Sequence, residues 1–348
     1  MRRTIGVLVG TVVVVGLLAG PALACGGLVA ADGNINLVRT TTLAAYHRGV
    51  EHYVTSFTFA GGGAEVGSIV PLPGVPTKVE RGGDWTLQRL IRETQPVAET
   101  AFDGLRVAAP AAARVILQTK IDALEITVLE GGAEEVGLWA KDHGFLLPPD
   151  APEVLAFYAD RSPIFMAARF DAAEARRRGQ DVGDGTPIHV TIPTPNPWVP
   201  LRILGLGRKA AEVIQADVYL LTDRKPAMLT ETLAPPSAGP GGGVFLQSSA
   251  LASETLLADL RSDQGMGWMP ESGMWLSYLR VDAKVRDLRF DLAVDASGQG
   301  APSRVAAGLV PASAPAVPAR FPAAWALVGI VAALAVVLGV ERRLSAAR

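Results

Sequence analysis

Two imidazoles and a carboxylate fall within one short run, His47-Arg48-Gly49-Val50-Glu51-His52, the nearest approach to a zinc motif in the chain. Metalloprotease patterns set two histidines on one helical face with a glutamate as base, at H-E-x-x-H or H-x-x-E-H spacing. Here the gap between the histidines is one residue too long, and the segment reads as a hairpin turn. On a strand, successive side chains point to opposite faces, so Glu51 and His52 face apart. The run is expected to be a solvated turn, with zinc as the weaker alternative. His143 precedes Gly144 at the end of an expected helix, where a partly charged imidazole favours the dipole, so it is expected to cap. His189 alternates with Ile188 and Val190 and is expected at a surface or satisfied core position.

Met266-Gly267-Trp268-Met269, followed by Met274 and Trp275, is the second candidate. Thioethers are soft ligands suited to Cu(I). Met and Trp also fill irregular cores and sticky interfaces, and no His or Cys stands near them in sequence, so packing is the stronger reading. There is no G-x-S-x-G elbow and no evident Ser/His/Asp set. Cys25 could be a nucleophile only beside a histidine that the sequence does not place. Gly239–Gly243 lacks the Lys-Ser/Thr that follows a phosphate loop and reads as a turn. Arg176-Arg177-Arg178 ends an expected helix, where cations suit the dipole, and reads as a solvated face rather than an anion site. Pro193, Pro195, Pro197 and Pro200 around Trp198 make a rigid extended segment, suited to recognition by a partner or equally to an edge strand or inter-strand crossing. These patterns assign no catalytic residue, no cofactor-binding residue, no metal ligand and no cofactor.

The elements that must position these residues are mainly strands. Asn36–Tyr46 and Val50–Phe59 flank the His47-Arg48-Gly49 link as a hairpin, and Glu65–Pro71 follows. Asp84 is the expected cap of a helix over Trp85–Glu93. Arg114–Gln118, Leu124–Leu129, Ile164–Phe170, Ile188–Ile192, Val213–Leu221, Trp275–Val281 and Leu288–Val294 read as strands. Helices are expected over Glu134–His143, from an Asp150 cap to Ala159, over Asp171–Arg178 and over Ser253–Arg261, with Pro235–Gly243 a loop. The fold class is α+β, a strand-rich mixed domain with inserted helices.

The two ends address a membrane. Arg2-Arg3, the apolar run Ile5–Ala19 and the small-x-small site Ala22-Leu23-Ala24 form a secretory signal over residues 1–24. Lipidation at Cys25 and an uncleaved anchor are the alternatives. Phe321–Val340 is uncharged, and about 20 residues at ~1.5 Å each span ~30 Å, one hydrocarbon core. Glu341-Arg342-Arg343 follows, which places the tail 341–348 in the cytoplasm and the domain 25–299 outside. A Pro/Ala-rich tether over 300–320 joins domain to helix. Cys25 is the only cysteine, so no intramolecular disulfide can form. The net charge of −2 carries no nucleic-acid footprint.

In order along the chain, Cys25-Gly26-Gly27, Ile69-Val70-Pro71-Leu72-Pro73, Leu138-Trp139 through Gly144-Phe145-Leu146-Leu147-Pro148, Leu155-Ala156-Phe157-Tyr158, Phe165-Met166-Ala167-Ala168-Arg169 and Val199-Pro200-Leu201-Arg202-Ile203 resemble the segments of one bacterial family, domain of unknown function 2330. The resemblance covers most of Cys25 to about Arg224 and extends more weakly to Val294. A second cysteine that often follows the opening glycines is absent at Leu28-Val29-Ala30, and Gly67-Ser68 stand where a Trp is frequent. The resemblance implies an exported, membrane-associated architecture and brings no activity and no catalytic residues. The expected role is a non-catalytic, membrane-anchored extracytoplasmic module for scaffolding, binding or envelope maintenance. Its expected partners are membrane lipid through residues 321–340 and a protein in the envelope, with no nucleic acid. The alternative is an envelope hydrolase whose site is assembled from sequence-distant residues.

Overall fold

Period-two alternation and β-branched residues build most of the chain into two large sheets. The computed structural model describes residues 27–30, 40–57, 66–95, 114–171, 174, 177–178, 186–298 and 300–312. The expected signal segment 1–24, Cys25, the apolar stretch 321–340 and the tail 341–348 lie outside them. Among the described residues no helix is long and apolar enough to cross a membrane. The chain divides into two units after Val310, and every element below belongs to the first.

The first sheet is antiparallel, in the order β1 (Gly27–Ala30), β4 (Val66–Pro71), β8 (Ile164–Phe170), β7 (Leu124–Glu130), β6 (Arg114–Ile121). The second has seven strands: β13 (Gly242–Leu251), β14 (Trp275–Lys284), β11 (Val213–Thr222), β2 (Thr40–His47), β3 (Val50–Phe57), β9 (Thr186–Pro193), β5 (Lys78–Arg81). Its pairs are antiparallel except β11 with β2. A small ladder joins β10 (Trp198–Val199), β15 (Leu292–Asp295) and β12 (Ala227–Met228).

The largest core cluster contains Val70, Ile126, Val128 and Met166 of the first sheet with Ala44, Tyr53, Ile188 and Val218 of the second, so the two sheets face each other. The outer face of the first sheet is covered by α2 (Ala133–Asp142) and α3 (Ala151–Ala159) through Trp139, Leu155 and Tyr158. The outer face of the second lies under α1 (Thr86–Thr94) and α4 (Glu254–Ser262) through Leu87, Leu90, Leu256 and Leu260. The result is a four-layer helix–sheet–sheet–helix α+β domain. A central strand in either sheet therefore buries both faces, and its alternate residues serve two different cores.

Two caps were expected at helix starts, at Asp84 and Asp150, and neither forms. Asp84 does not cap α1. The carboxylate of distant Asp263 takes the N–H groups of Asp84, Trp85 and Thr86 at 3.2, 3.1 and 2.8 Å, and the Thr86 hydroxyl at 2.7 Å. A helix N-terminus needs an acceptor, and tertiary packing supplies one from 177 residues away. Asp150 makes no side-chain cap on α3 and instead accepts the Gly207 N–H at 3.1 Å. Ser253 does cap α4, accepting the Leu256 N–H at 3.1 Å.

Ala306 and Ala307 fall in the expected tether yet are buried in one cluster with Trp198 and Tyr158. The anchor is Asp291, fully buried, which accepts the Tyr158 hydroxyl at 2.9 Å and the Leu201 N–H at 2.8 Å and pairs with Arg161 at 2.7 Å. Arg161 in turn donates to the Ala306 carbonyl at 2.5 Å. The helix expected over Asp171–Arg178 falls largely outside the described residues; Glu174, Arg177 and Arg178 are helical.

Candidate functional site

The β2–β3 hairpin turns through Arg48 and Gly49, both at positive φ (49° and 84°), the primed-turn geometry that matches strand twist. Asp223, just past β11, grips the tip: it meets His47 Nδ1 at 2.5 Å and accepts the Arg48 N–H at 3.1 Å. As expected, Glu51 and His52 then point to opposite faces. The expected solvation holds at the tip, where Arg48 and Gly49 are exposed, and fails at Glu51 and His52. The hairpin is central in a seven-stranded sheet, so both side chains are buried.

Glu51, fully buried, enters the layer between the sheets. Among the described residues neither carboxyl oxygen meets a donor in hydrogen-bonding geometry. Burial lifts its pKa to about 8, with the Trp198 backbone N–H opposing. It therefore carries a proton at neutral pH. It lines a cavity of about 10 Å³ with Tyr46, Trp198 and Thr222, room for one water. Tyr46 donates its hydroxyl proton to the Thr194 carbonyl at 2.8 Å, and burial, then Glu51, raise its pKa.

His52 enters the helix-covered side. Its Nδ1 lies 2.9 Å from Nε2 of His189, 137 residues away, and its ring stacks on Trp268 with centroids 3.7 Å apart. His189 Nδ1 stands 3.5 Å from the Glu80 carboxylate, which also pairs with Lys78 at 2.7 Å. Burial first, then the charges of His189 and His47, pull the His52 pKa down to about 3. Burial pulls His189 down to about 4 against the opposing pull of Glu80. Both rings are neutral, so one N–H donates to the other's lone pair. A proton on His189 Nδ1 would face the Glu80 carboxylate, which leaves His52 donating to His189 and its own Nε2 bare. A carboxylate and two imidazoles are thus lined up, but the 3.5 Å approach of Glu80 is not a hydrogen bond and a pKa of about 3 leaves the free His52 nitrogen a weak base.

The loop over this pair is the methionine segment. Asp263, the α1 cap, also accepts through its carbonyl the Met266 N–H at 3.2 Å, and the Met266 carbonyl accepts the Met269 N–H at 3.1 Å. Gly265 at φ 78° brings the backbone so close that a Cβ there would lie 3.2 Å from His189 Nδ1. Met266, Met269 and Met274 are all buried in the helix-side core. Among the described residues no three or more His, Cys, Asp or Glu are grouped to hold a metal. The pairing of two buried histidines under Trp268 escapes sequence reading because it depends on strand register across β3 and β9.

The other candidates separate. His143 is the C-cap of α2, its Nδ1 2.6 Å from the Trp139 carbonyl, but burial lowers its pKa, so it caps as a neutral ring. Trp198 is buried on β10, which makes its proline-flanked segment an inter-strand crossing. Arg178 pairs with Glu174 at 2.9 Å and with Asp122 at 3.5 Å. Gly242 and Gly243 open β13, a strand that sequence patterning misses because Gln247-Ser248-Ser249 breaks its alternation.

That strand is the other functional feature. It forms one edge of the seven-stranded sheet, holds ten residues with no charge and no proline, and exposes five of the six residues Leu246–Leu251. Among the described residues only its start is covered, where the Val244 carbonyl accepts the Ala234 N–H at 2.7 Å. The opposite edge, β5, has four residues, three of them charged.

The model of a family described as uncharacterized proteins conserved in bacteria, DUF2330, matches residues 19–231. No curated protein matches the chain. Among solved structures, baculovirus P35 aligns with a TM-score of 0.39 at 10% identity, over 76% of this chain and 97% of P35. A mutated baculovirus P35 after caspase cleavage aligns with a TM-score of 0.38 at 9% identity, over 74% of this chain and 98% of the other. Likeness at that level carries no argument about fold or function.

Proposed function

We propose, for a chain that belongs to the DUF2330 family of uncharacterized bacterial proteins, the role of a membrane-anchored extracytoplasmic module that binds another polypeptide along a sheet edge and performs no chemistry. The observation that carries the binding role is the uncharged edge of β13, which beyond its start is unpaired among the described residues, since an open edge offers main-chain donors and acceptors to an incoming strand. The anchor rests on the uncharged stretch Phe321–Val340 ahead of Arg342-Arg343, and the outward placement on the signal pattern of residues 1–24.

The test is residue-specific labelling in intact cells, in a Cys25→Ser background. The thiol of Ser248→Cys is expected to react with a membrane-impermeant maleimide, and that of Ser345→Cys only after permeabilisation. Labelling at position 345 in intact cells removes the assigned topology.

A second reading, an envelope hydrolase, is favoured by one observation, the Glu80–His189–His52 chain assembled from three distant strands. It predicts ester or amide turnover by the purified domain that His52→Gln abolishes. Turnover unchanged in that variant removes His52 as its base.

A further inference from the structure

We infer that the polypeptide taken up by β13 is a second copy of this chain, paired antiparallel about a two-fold axis; the inference rests on the anchored binding role proposed above.

The edges of the two sheets are guarded unequally. β5 is short and carries Lys78, Glu80 and Arg81. β6 carries Arg114 and Lys120, and a register shift between Val115 and Leu117 bends it. β1 has four residues. Short length, charge and bulges are the usual defences of an edge. β13 has ten residues and no charge.

The bulge in β13 has a different consequence. Leu246 sits opposite Leu279 of β14 and Leu251 opposite Trp275, with the register shifting between Leu246 and Ser248. Leu279 and Trp275 are four apart on a regular strand and share a face. The extra residue therefore brings Leu246 and Leu251 to one face of the sheet; without it, five residues apart, they would face oppositely. They are 43% and 63% exposed.

A two-fold interface uses the same patch twice, with residue i against j and j against i. An antiparallel ladder that sets Leu246 of one copy against Leu251 of its mate buries all four leucines on one face. It sets no charge against a like charge, because the strand holds none. A foreign strand would have to match this spacing, whereas a second copy matches it by symmetry. The ladder is short, but two domains anchored in one membrane meet at an effective concentration that a short ladder can use.

The experiment is cross-linking with a short bifunctional maleimide in intact cells of the full chain with Cys25→Ser and Ser248→Cys. In this ladder Ser249 lies on the axis, and the two thiols at position 248 are diagonal neighbours about 7–8 Å apart, within reach of the linker. The expected result is a maleimide-linked species of twice the chain mass, absent from a control that carries Val115→Cys on the other sheet's edge instead. Leu246→Lys with Leu251→Lys, added to Ser248→Cys, is expected to reduce that species at least tenfold by setting lysines against each other. A thiol at position 248 that is labelled by impermeant maleimide but forms no dimer overturns the second copy and leaves the extracytoplasmic placement standing. An adduct of any other mass overturns the second copy and keeps the binding edge. A dimer undiminished by the two lysines overturns the β13 interface.

Discussion

Glu51 and His52 are chain neighbours buried on opposite faces of β3, and burial moves their protonation in opposite directions. A buried site penalises whichever form is charged. The acid on the inter-sheet face is lifted to about 8, and the base on the helix-covered face is pulled down to about 3. At neutral pH neither is an ion. Their partners differ. His52 has a ring nitrogen to bond and an indole to stack on, whereas Glu51 has the Trp198 N–H nearby but no well-formed hydrogen bond among the described residues, and a cavity of about 10 Å³. One strand can thus hold an acid and a base in two cores so long as pH keeps both neutral.

The largest departure from that balance should come through Glu51. Its folded pKa is raised from 4.5 to about 8, so its contribution to stability is fully present below 4.5 and lost as pH rises through 8. At ~1.4 kcal/mol per unit the loss is on the order of 5 kcal/mol. Glu51→Gln removes the proton equilibrium and keeps the shape. Urea denaturation should find the variant more stable than the parent by about that amount at pH 9 and nearly equal at pH 4. A gain of the same size at both pH values would show that Glu51 is already charged in the fold.

The histidine face should respond on the other limb. His52 and His189 are lowered from 6.5 to about 3 and about 4. Their contribution is present above pH 6.5 and lost as pH falls through those values, because the unfolded chain takes up protons first. Two bases outweigh one acid below pH 6.5 and the acid alone acts above it, so together they give greatest stability near pH 6.5. Replacing His52 by Gln should cost about 2–3 kcal/mol at pH 7 through the lost stack and a weaker bond to His189. It should also flatten the decline between pH 6.5 and 4, read from urea midpoints across that range. A decline as steep as the parent's would assign the acid limb to other groups.

How much of this was legible in the sequence follows from the range of each interaction. The hairpin, the opposed directions of Glu51 and His52, and the helix over Glu134–His143 depend on neighbours and are readable. Burial of Glu51 is not, because an acid among Val50, His52 and Val54 looks like the polar face of an edge hairpin until further strands flank it on both sides. The His52–His189 bond and the Asp263 cap span 137 and 177 positions, set by register and packing that no local pattern encodes. β13 is missed for a local reason, since a bulge destroys the alternation by which strands are recognised. The candidate site is readable in its residues and unreadable in its assembly.

Trp268→Ala removes the cover from one face of β3 only. The ring is partly buried against the helix-side core and stacked on His52 at 3.7 Å. Its loss should cost about 2 kcal/mol, below the ~3–5 of a fully buried tryptophan. Water reaching His52 should let its pKa climb back toward 6.5, visible as an imidazole proton signal that titrates above about pH 5. An unmoved titration would mean His189, not the indole, keeps His52 dry.

The smallest effect separates crowding from backbone strain at the same site. Gly265 and Gly49 both sit at positive φ, 78° and 84°. An alanine in that region costs about 1 kcal/mol wherever it is placed. At Gly49 a Cβ would meet nothing within 4 Å, while at Gly265 it would lie 3.2 Å from His189 Nδ1. Gly49→Ala therefore measures the backbone cost alone, and Gly265→Ala that cost plus whatever is needed to move His189. If the loop over the histidines is as rigid as the Asp263 cap at its base implies, Gly265→Ala should lose about 0.5–1 kcal/mol more than Gly49→Ala in thermal or urea denaturation. Equal losses would mean that the loop gives way, and that the close approach to His189 is not what holds the neutral pair together.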